Sequence, residues 1–259
     1  NKVELIDTAK TRASLKIQDG CDNRCSYCII PFARGKSRSA DIDFIIEQIN
    51  NFSKHGFKEV VLTGIHIGLW GKDINMTLLD LLRAIESKTT IERYRLGSLN
   101  PHEITDELLE FLSKSKKFCP HFHLSLQSAC NRTLKRMNRH YTVEYYLDQI
   151  EDIVSRFYKV EDYLKQIEKI NAMFDNPFLG SDIITGFAGE TEEDFYTTIE
   201  NLRKSGLSQI HVFPYSIREG TAGAKAENQI NENIRQIRAD VVKALSALKH
   251  IEFINKNIG

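Results

Sequence analysis

The chain has 259 residues, of which 41% are hydrophobic, and it carries 35 basic against 35 acidic side chains. This hydrophobic share is enough for the core of one large α/β domain or of two smaller domains. The balanced charge excludes a surface that coats nucleic acid along its whole extent, but it allows a local basic patch. No apolar run has the length that a membrane-spanning helix requires, so we expect a cytoplasmic protein without membrane contact.

Strand-like and helix-like stretches alternate along the chain after residues 1–12, which we predict to be a linker. Short β-branched or alternating runs predict six strands, and apolar residues at helical spacing predict helices between them. The predicted strands cover residues 13–18, 58–64, 93–98, 121–127, 178–187 and 209–215, and the predicted helices cover 41–53, 78–85, 105–112, 191–204 and 231–255. Residues that favour helix caps precede the first two helices, Ser39 or Asp41 in one case and Asn75 or Thr77 in the other.

Six strand-then-helix units imply right-handed parallel crossovers and a sheet that is buried on both faces. An open or partial α/β barrel satisfies this pattern, with its ligand site at the carboxyl ends of the strands. One segment departs from the alternation, because residues 141–153 recur at 158–170 with nine of thirteen positions identical. Both copies have helical spacing, so we predict a duplicated helical insertion within residues 141–175, either a surface addition or a partner-binding helix.

Three cysteines follow the first predicted strand, Cys21, Cys25 and Cys28, with three and then two residues between them. Thiols at this spacing can converge on one side of a short loop, which suits a metal cluster. A [4Fe-4S] cluster normally takes four thiolates, so a loop that supplies three leaves one iron open for an exchangeable ligand. A structural zinc ion with a distant histidine as fourth ligand is the alternative. Disulfides fit less well, since the chain has an odd number of cysteines, five.

The aromatic residue before the third cysteine, Tyr27, completes a pattern that resembles the radical S-adenosylmethionine (SAM) enzymes. Further stretches are similar to the methylthiotransferases within that superfamily, at residues 29–39, 62–68, 125–128, 182–191 and 214–221. Residues 29–35 and 96–103 look most like the branch that acts on threonylcarbamoyl-adenosine beside the tRNA anticodon. The branches that act on isopentenyl-adenosine or on a ribosomal-protein aspartate look less similar.

The resemblance implies an α/β fold, the radical-SAM partial (β/α)6 TIM-like barrel with parallel strands. It implies two cofactors: a [4Fe-4S] cluster on Cys21, Cys25 and Cys28, and SAM, with Tyr27 near the adenine. The implied enzyme is a transferase that adds a methylthio group to carbon 2 of threonylcarbamoyl-adenosine. Its partners would be tRNA and an electron donor such as flavodoxin or ferredoxin, and we expect a monomer. Another radical-SAM reaction, or a zinc-stabilised RNA-binding module without catalysis, is the alternative.

Candidate SAM contacts lie at the carboxyl ends of the predicted strands. Glycines there allow a ligand to approach the backbone, but glycines also serve ordinary turns between strand and helix. Polar side chains there can bond a ribose or line a solvated rim, and an acidic side chain can instead favour a helix N-terminus. The candidates are Thr63, Gly64, Ser125, Gln127, Asp182, Gly186 and Glu190.

Basic residues after the cysteine loop and after the fourth predicted strand are candidates for phosphate contacts, although such clusters are often only solvated faces. They are Arg34, Lys36, Arg38, Arg132 and Arg136.

Methylthiotransferases also carry an N-terminal domain with a second, auxiliary cluster and a small C-terminal β-barrel. The two remaining cysteines, Cys119 and Cys130, lack the spacing of that auxiliary site, and we expect both to be buried thiols. We therefore expect residues 13–259 to be the catalytic core of a longer protein, with the auxiliary cluster in the full-length chain. This core alone would bind a cluster and SAM without completing methylthiolation.

Overall fold

The computed structural model describes residues 11–100, 103–139 and 177–258. The chain divides into two compact units, the first made of Asn1–Asp22 and Ile30–His123 and the second of Asn23–Ile29 and Leu124–Gly259. The predicted linker lies outside the described residues except for residues 11 and 12, and the predicted duplicated insertion lies outside them completely.

The first unit contains a four-stranded sheet with the order β2-β1-β3-β4. Its strands are β1 (Ala13–Asp19), β2 (Arg38–Ser39), β3 (Glu59–Gly64) and β4 (Arg93–Leu96). Strands β1, β3 and β4 are parallel, as predicted, whereas β2 is antiparallel to β1. Because β2 has two residues, no periodicity predicts it. A further two-residue strand, β5, covers Ser98–Leu99.

Side-chain caps begin the longer helices of the first unit. The helices are α1 (Ile30–Arg34), α2 (Ile42–Lys54), α3 (Leu78–Lys88) and α4 (Asp106–Lys114). Asp41 caps α2 by accepting from Phe44 N at 3.0 Å, and Thr77 forms a capping box with Asp80 at α3. Of the two predicted cap candidates in each case, the residue nearer the helix is therefore the cap.

The sheet of the first unit has one packed face and one accessible face. Ala13, Leu15 and Ile17 of β1 are buried, while Ser14 and Lys16 between them are exposed. Helix α2 contacts β1 on the packed face, where Ile45 and Ile49 of the helix are buried. This differs from the predicted burial on both faces, because alternate positions of β1 are polar. The accessible face is therefore free to line a cavity.

Strand β6 (His121–Gln127) leads along the chain from the first unit into the second. In the second unit the sheet order is β6-β7-β8, with β7 at Phe178–Thr185 and β8 at Gln209–Pro214, and β7 and β8 are parallel. The α-helices in the described residues of this unit are α5 (Asn131–Arg136), α6 (Glu192–Lys204) and α7 (Glu232–Asn257). Helix α7 packs on β7 and β8. None of the helices in the described ranges has both the length and the apolar character needed to cross a membrane.

Candidate functional site

The first part of the cysteine loop is fixed to the end of β1 within the first unit. Cys21 N donates to Gly35 O at 3.1 Å, and Gln18 Nε2 donates to Gly20 O at 2.8 Å. Gly20 has a φ of +74°, and a Cβ at this position would overlap the carbonyl oxygen of Lys36. The position directly before Cys21 therefore requires glycine, both for its backbone conformation and for space.

The side chain of Cys21 meets a buried histidine that is paired with a glutamate. His66 Nδ1 lies 3.6 Å from Cys21 Sγ, and His66 Nε2 donates to Glu103 Oε1. The side chains of His66 and Glu103 are each 5% exposed. Burial alone would lower the pKa of His66, but hydrogen bonds to Cys21 and Glu103 outweigh it and raise the pKa to about 10. Contacts with Cys21 and Glu103 thus favour the protonated form of His66.

Both members of this pair are fixed by neighbouring backbone and side-chain groups. His66 N donates to Gln18 Oε1 at 2.7 Å, and Asn100 N donates to Glu103 Oε2 at 2.8 Å. A Cβ on Gly68 would overlap the carboxyl group of Glu103. Gly68 therefore leaves the space through which Glu103 reaches His66.

The second part of the cysteine loop is anchored on the turn after α5, within the second unit. Ser26 N donates to Met137 O at 3.0 Å, and Ser26 Oγ donates to Arg136 O at 2.7 Å. Arg139 Nη1 donates to Cys25 Sγ at 3.6 Å. The guanidinium group of Arg139 thus places a hydrogen-bond donor against the Cys25 sulfur.

Cys21, Cys25 and Cys28 are partly buried and form no disulfide. In the part of the chain that the structure describes, no three His, Cys, Asp or Glu side chains converge as ligands of a single metal ion. A [4Fe-4S] cluster instead distributes its thiolates over different irons, so this observation does not test ligation of a cluster. Free thiols with cationic donors at Cys21 and Cys25 fit a group that binds thiolates. The ligation by all three cysteines stays a prediction.

Tyr27 has a packing role in the second unit. It packs against a cluster made of Met137, Phe187 and Tyr215. The Phe187 and Tyr215 rings are in edge contact, with centroids 4.9 Å apart. The predicted contact of Tyr27 with the SAM adenine stays a prediction, and the packing shows what would hold the ring in place.

Two of the candidate SAM contacts, Thr63 and Gly64, end β3 and have partners within the first unit. Thr63 Oγ1 donates to Leu15 O at 3.3 Å. A Cβ on Gly64 would lie 2.7 Å from Ile67 Cγ2 and 2.9 Å from Gln18 O. Glycine at position 64 is thus required by local packing, and its role towards SAM stays a prediction.

Three further candidates, Ser125, Gln127 and Asp182, lie on β6 and β7 and are all half-buried. Gln127 has a φ of 74°, a left-handed conformation that is uncommon for a residue other than glycine. Backbone strain of this kind clusters at ligand sites and turns. The left-handed conformation of Gln127 agrees with a ligand site at this position, and its contact with SAM stays a prediction.

The last two candidates, Gly186 and Glu190, lie at a buried ion pair of the second unit, which Glu190 forms with Arg238. Glu190 Oε1 accepts from Gly186 N at 3.0 Å and from Arg238 Nη1 at 2.6 Å. Glu190 is 3% exposed and Arg238 is 6% exposed. Burial raises the pKa of Glu190, although Gly186 and Arg238 act in the opposite direction. These contacts give Glu190 a structural role, and its contact with SAM stays a prediction.

The predicted RNA-binding arginines of α5 also have structural partners. Arg132 Nε lies 2.6 Å from Asp194 Oδ1, and Arg136 Nη2 donates to Asp194 Oδ2 at 2.5 Å. The Asp194 side chain is 1% exposed. Asp194 therefore neutralises part of the charge that these arginines would offer to phosphate. The basic residues after the cysteine loop are exposed, namely Arg34, Lys36 and Arg38.

A cavity of about 680 Å³ adjoins the accessible sheet face of the first unit. Its described lining contains no acidic side chain and consists of Thr11, Arg12, Ser14, Val61, Arg95, Leu96, Gly97, Ser98, His121 and His123. Arg95 Nε donates to Glu59 Oε1 at 2.6 Å, and Arg12 and Arg93 also approach this carboxylate. Because three guanidinium groups meet one carboxylate, the potential beside the cavity is positive.

Burial lowers the pKa of His121 to about 4, and the positive charge of Arg95 acts in the same direction. This imidazole is therefore uncharged at neutral pH. It offers the cavity a hydrogen-bonding group without adding to the positive charge.

A family profile described as the Radical SAM superfamily matches residues 15–202. The chain belongs to the radical SAM superfamily.

Curated relatives of this radical SAM chain modify tRNA, according to their names. It is 40% identical to threonylcarbamoyladenosine tRNA methylthiotransferase MtaB of Bacillus subtilis (strain 168), over 92% of this chain and 50% of the relative. It is 36% identical to tRNA-2-methylthio-N(6)-dimethylallyladenosine synthase of Alkaliphilus oremlandii (strain OhILAs), over 93% of this chain and 49% of the relative. The chain thus spans about half the length of the curated relatives it matches.

The fold is similar to that of the radical SAM methyltransferase TsrM from Kitasatospora setae, with a TM-score of 0.65. That solved structure has cobalamin and a [4Fe-4S] cluster bound. The match covers 82% of this chain and 38% of that chain at 15% identity, so it shows the fold alone. The predicted α/β radical-SAM fold class is confirmed. The radical SAM superfamily uses a [4Fe-4S] cluster and SAM, so membership of it confirms the prediction of these two cofactors.

The side chains that contact the candidate residues are mostly not predictable from the sequence. Asp194 has a local signal, because Thr191 and Asp194 have the spacing of a capping box. Glu103 and Arg238 have none, since each acts on a residue at least 37 positions away along the chain. Such pairs become visible only in the folded chain.

Proposed function

We propose that the chain is the core of a tRNA methylthiotransferase that adds a methylthio group to carbon 2 of threonylcarbamoyl-adenosine next to the anticodon. The observation that carries this proposal is the 40% identity, over 92% of this chain, to the Bacillus subtilis protein named threonylcarbamoyladenosine tRNA methylthiotransferase. The proposal includes a linker at 1–12 and a core at 13–259. It also includes tRNA and an electron donor such as flavodoxin or ferredoxin as partners of a cytoplasmic monomer.

In this proposal Cys21, Cys25 and Cys28 would hold the [4Fe-4S] cluster, beside a binding site for SAM. The bound cofactors supply the one-electron chemistry that removes hydrogen from an unactivated carbon. The protein places the reactants and excludes water. His66 and Arg139 contribute by holding the sulfurs of Cys21 and Cys25.

The cavity of the first unit supports a substrate with a charged substituent. Threonylcarbamoyl carries a carboxylate, a hydroxyl and N–H groups, whereas dimethylallyl is a hydrocarbon. Arg12 and Arg95 line the cavity, and both approach Glu59. Each guanidinium group has five N–H donors, of which Glu59 takes only part, so the two arginines suit a substrate carboxylate better than a hydrocarbon. The lining thus favours the threonylcarbamoyl substrate.

Cofactor chemistry is tested on the purified chain, reconstituted with iron and sulfide in the absence of oxygen. We expect about four irons per chain and 5′-deoxyadenosine after addition of SAM and dithionite. Cys28→Ser should abolish this product, whereas Cys119→Ser, a change at a buried thiol outside the loop, should retain it. A colourless protein that holds zinc and never cleaves SAM would instead support a binding module.

Substrate class is tested by binding of anticodon stem-loop RNAs that differ only in one base. We expect the threonylcarbamoyl-adenosine RNA to bind about tenfold more tightly than the dimethylallyl-adenosine RNA, since a charge-assisted hydrogen bond contributes about 1.5–3 kcal/mol. Arg95→Gln should reduce that preference, and Lys225→Gln, outside the cavity, should not. A preference for the dimethylallyl RNA would assign the chain to the other branch.

A further inference from the structure

Two loops of the first unit meet behind the first cysteine. One follows β3 and contains His66, and the other follows β5 and contains Asn100 and Glu103. His66 contacts Cys21 Sγ with one ring nitrogen and Glu103 with the other. The result is a buried line of hydrogen bonds that ends on a cysteine sulfur.

The hydrogen-bond inventory fixes the direction of the contact with Cys21. His66 Nε2 faces Glu103 Oε1 and lies 2.6 Å from Asn100 Nδ2, so both side chains hold the far edge of the ring. A cysteine that ligates iron is a thiolate and has no proton to donate. The hydrogen between His66 Nδ1 and a ligating Cys21 must therefore come from the histidine.

We propose that His66, held by Glu103, is a positioning residue that donates a hydrogen bond to the Cys21 sulfur when this sulfur ligates the cluster. Hydrogen bonds to cluster sulfurs set the reduction potential, because they withdraw electron density and stabilise the reduced state. Partners that orient ligands also strengthen metal binding. The inference rests on Cys21 as a cluster ligand, and it is independent of the RNA substrate.

The setting of the pair supports a role beyond stability. The side chains of His66 and Glu103 are both buried, and burying polar groups costs free energy that a hydrogen bond between them only partly offsets. Their positions are nevertheless fixed on several sides, through Gln18, Asn100 and the space left by Gly68. A pair built in this way keeps its geometry towards Cys21 while the cluster changes charge.

The experiment measures the midpoint potential of the reconstituted cluster and its loss of iron to a chelator. We expect His66→Leu to shift the potential to more negative values and to speed iron loss about tenfold. His66→Gln retains an N–H donor and should restore part of both. Glu103→Gln preserves size and should shift the potential in the same direction by a smaller amount.

His55→Gln is the matched control, because His55 is exposed at the end of α2 and its Nδ1 lies 2.9 Å from Asn51 O. It should match the wild type in both measurements. The comparison uses the His66 variants that fold and carry a full complement of iron. The inference is overturned if these variants and Glu103→Gln all have the midpoint potential of the wild type. A wild type that assembles the cluster and cleaves SAM but binds neither modified RNA would contradict the proposed function and leave this inference standing.

Discussion

Replacement of Gly20 by alanine tests whether the backbone before Cys21 sets the cluster loop. Gly20 has a φ of +74°, and a Cβ there would lie 2.7 Å from Lys36 C and 2.8 Å from Gly35 O. The left-handed conformation costs alanine about 1–2 kcal/mol. Relief of the backbone overlap adds about 1–3 kcal/mol, the usual cost of overpacking. We therefore expect Gly20→Ala to lower the free energy of unfolding by about 2–5 kcal/mol.

Gly56→Ala separates the two costs. Gly56 has a φ of +89°, but a Cβ there would meet nothing within 4 Å. This variant should lose only the conformational part, about 1–2 kcal/mol. Urea unfolding measures both variants, and iron content after reconstitution measures the effect on the loop. Because the overlap displaces residues that hold Cys21, iron should fall in Gly20→Ala and stay at the wild-type level in Gly56→Ala.

Equal losses of unfolding free energy in the two variants would refute the overlap argument. Wild-type iron content in Gly20→Ala would show that the loop can shift without losing the position of Cys21.

Three further predictions concern buried charges. Arg238→Met leaves the Glu190 carboxylate buried without its cation, so the free energy of unfolding should fall by about 3–5 kcal/mol. Adding Glu190→Gln to that variant should recover part of the loss. Denaturant unfolding of the single and double variants checks both expectations. Because the pKa of Glu190 is raised above its ordinary value of 4.5, its contribution to stability is full below pH 4.5 and is lost as pH rises through the folded-state pKa. The stability of the wild type relative to Glu190→Gln should therefore decline from pH 4.5 upward, and a flat difference would contradict the shift. Arg139→Lys loses the planar fork that donates to Cys25 Sγ and to Ser125 O, so iron loss to a chelator should become faster; an unchanged rate would show that the contact does not support the cluster.

The six strands and the longer helices could be predicted because their signals are local. Alternation or a β-branched run identifies each strand, and a cap residue such as Thr191 or Asn231 begins the helix that follows. The predicted bounds of β1 and β6 differ from the observed ones by at most one residue. The short helices α1 and α5 escape prediction, since five or six residues carry little periodicity.

Burial on the second face of the sheet was harder to predict. Residues 60–62 are a continuous apolar run, which favours a strand buried on both faces. In the structure Val60 and Leu62 are buried, but Val61 between them is only half-buried and lines the cavity. An apolar residue on a cavity wall cannot be distinguished from a core residue by sequence pattern alone.

In the candidate site, too, features set by neighbouring residues could be predicted, whereas contacts between residues far apart along the chain could not. Spacing identifies the three cysteines, and no sequence pattern shows what their sulfurs touch. The donors to Cys21 and Cys25 come from His66 and Arg139, which are 45 and 114 residues away along the chain. Each donor is in turn held within its own unit, His66 by Glu103 and Arg139 by the carbonyl of Ser125.

The hydrogen bonds from His66 and Arg139 reach the partly buried sulfurs of Cys21 and Cys25 from outside the cysteine loop. In the proposed function the loop supplies the sulfur atoms for the cluster, and the folded units supply these two further donors. A cysteine pattern identical to this one, placed on a fold without such donors, would hold a cluster of different affinity and potential. The motif alone thus specifies the kind of cofactor, and its chemical properties depend on the rest of the chain.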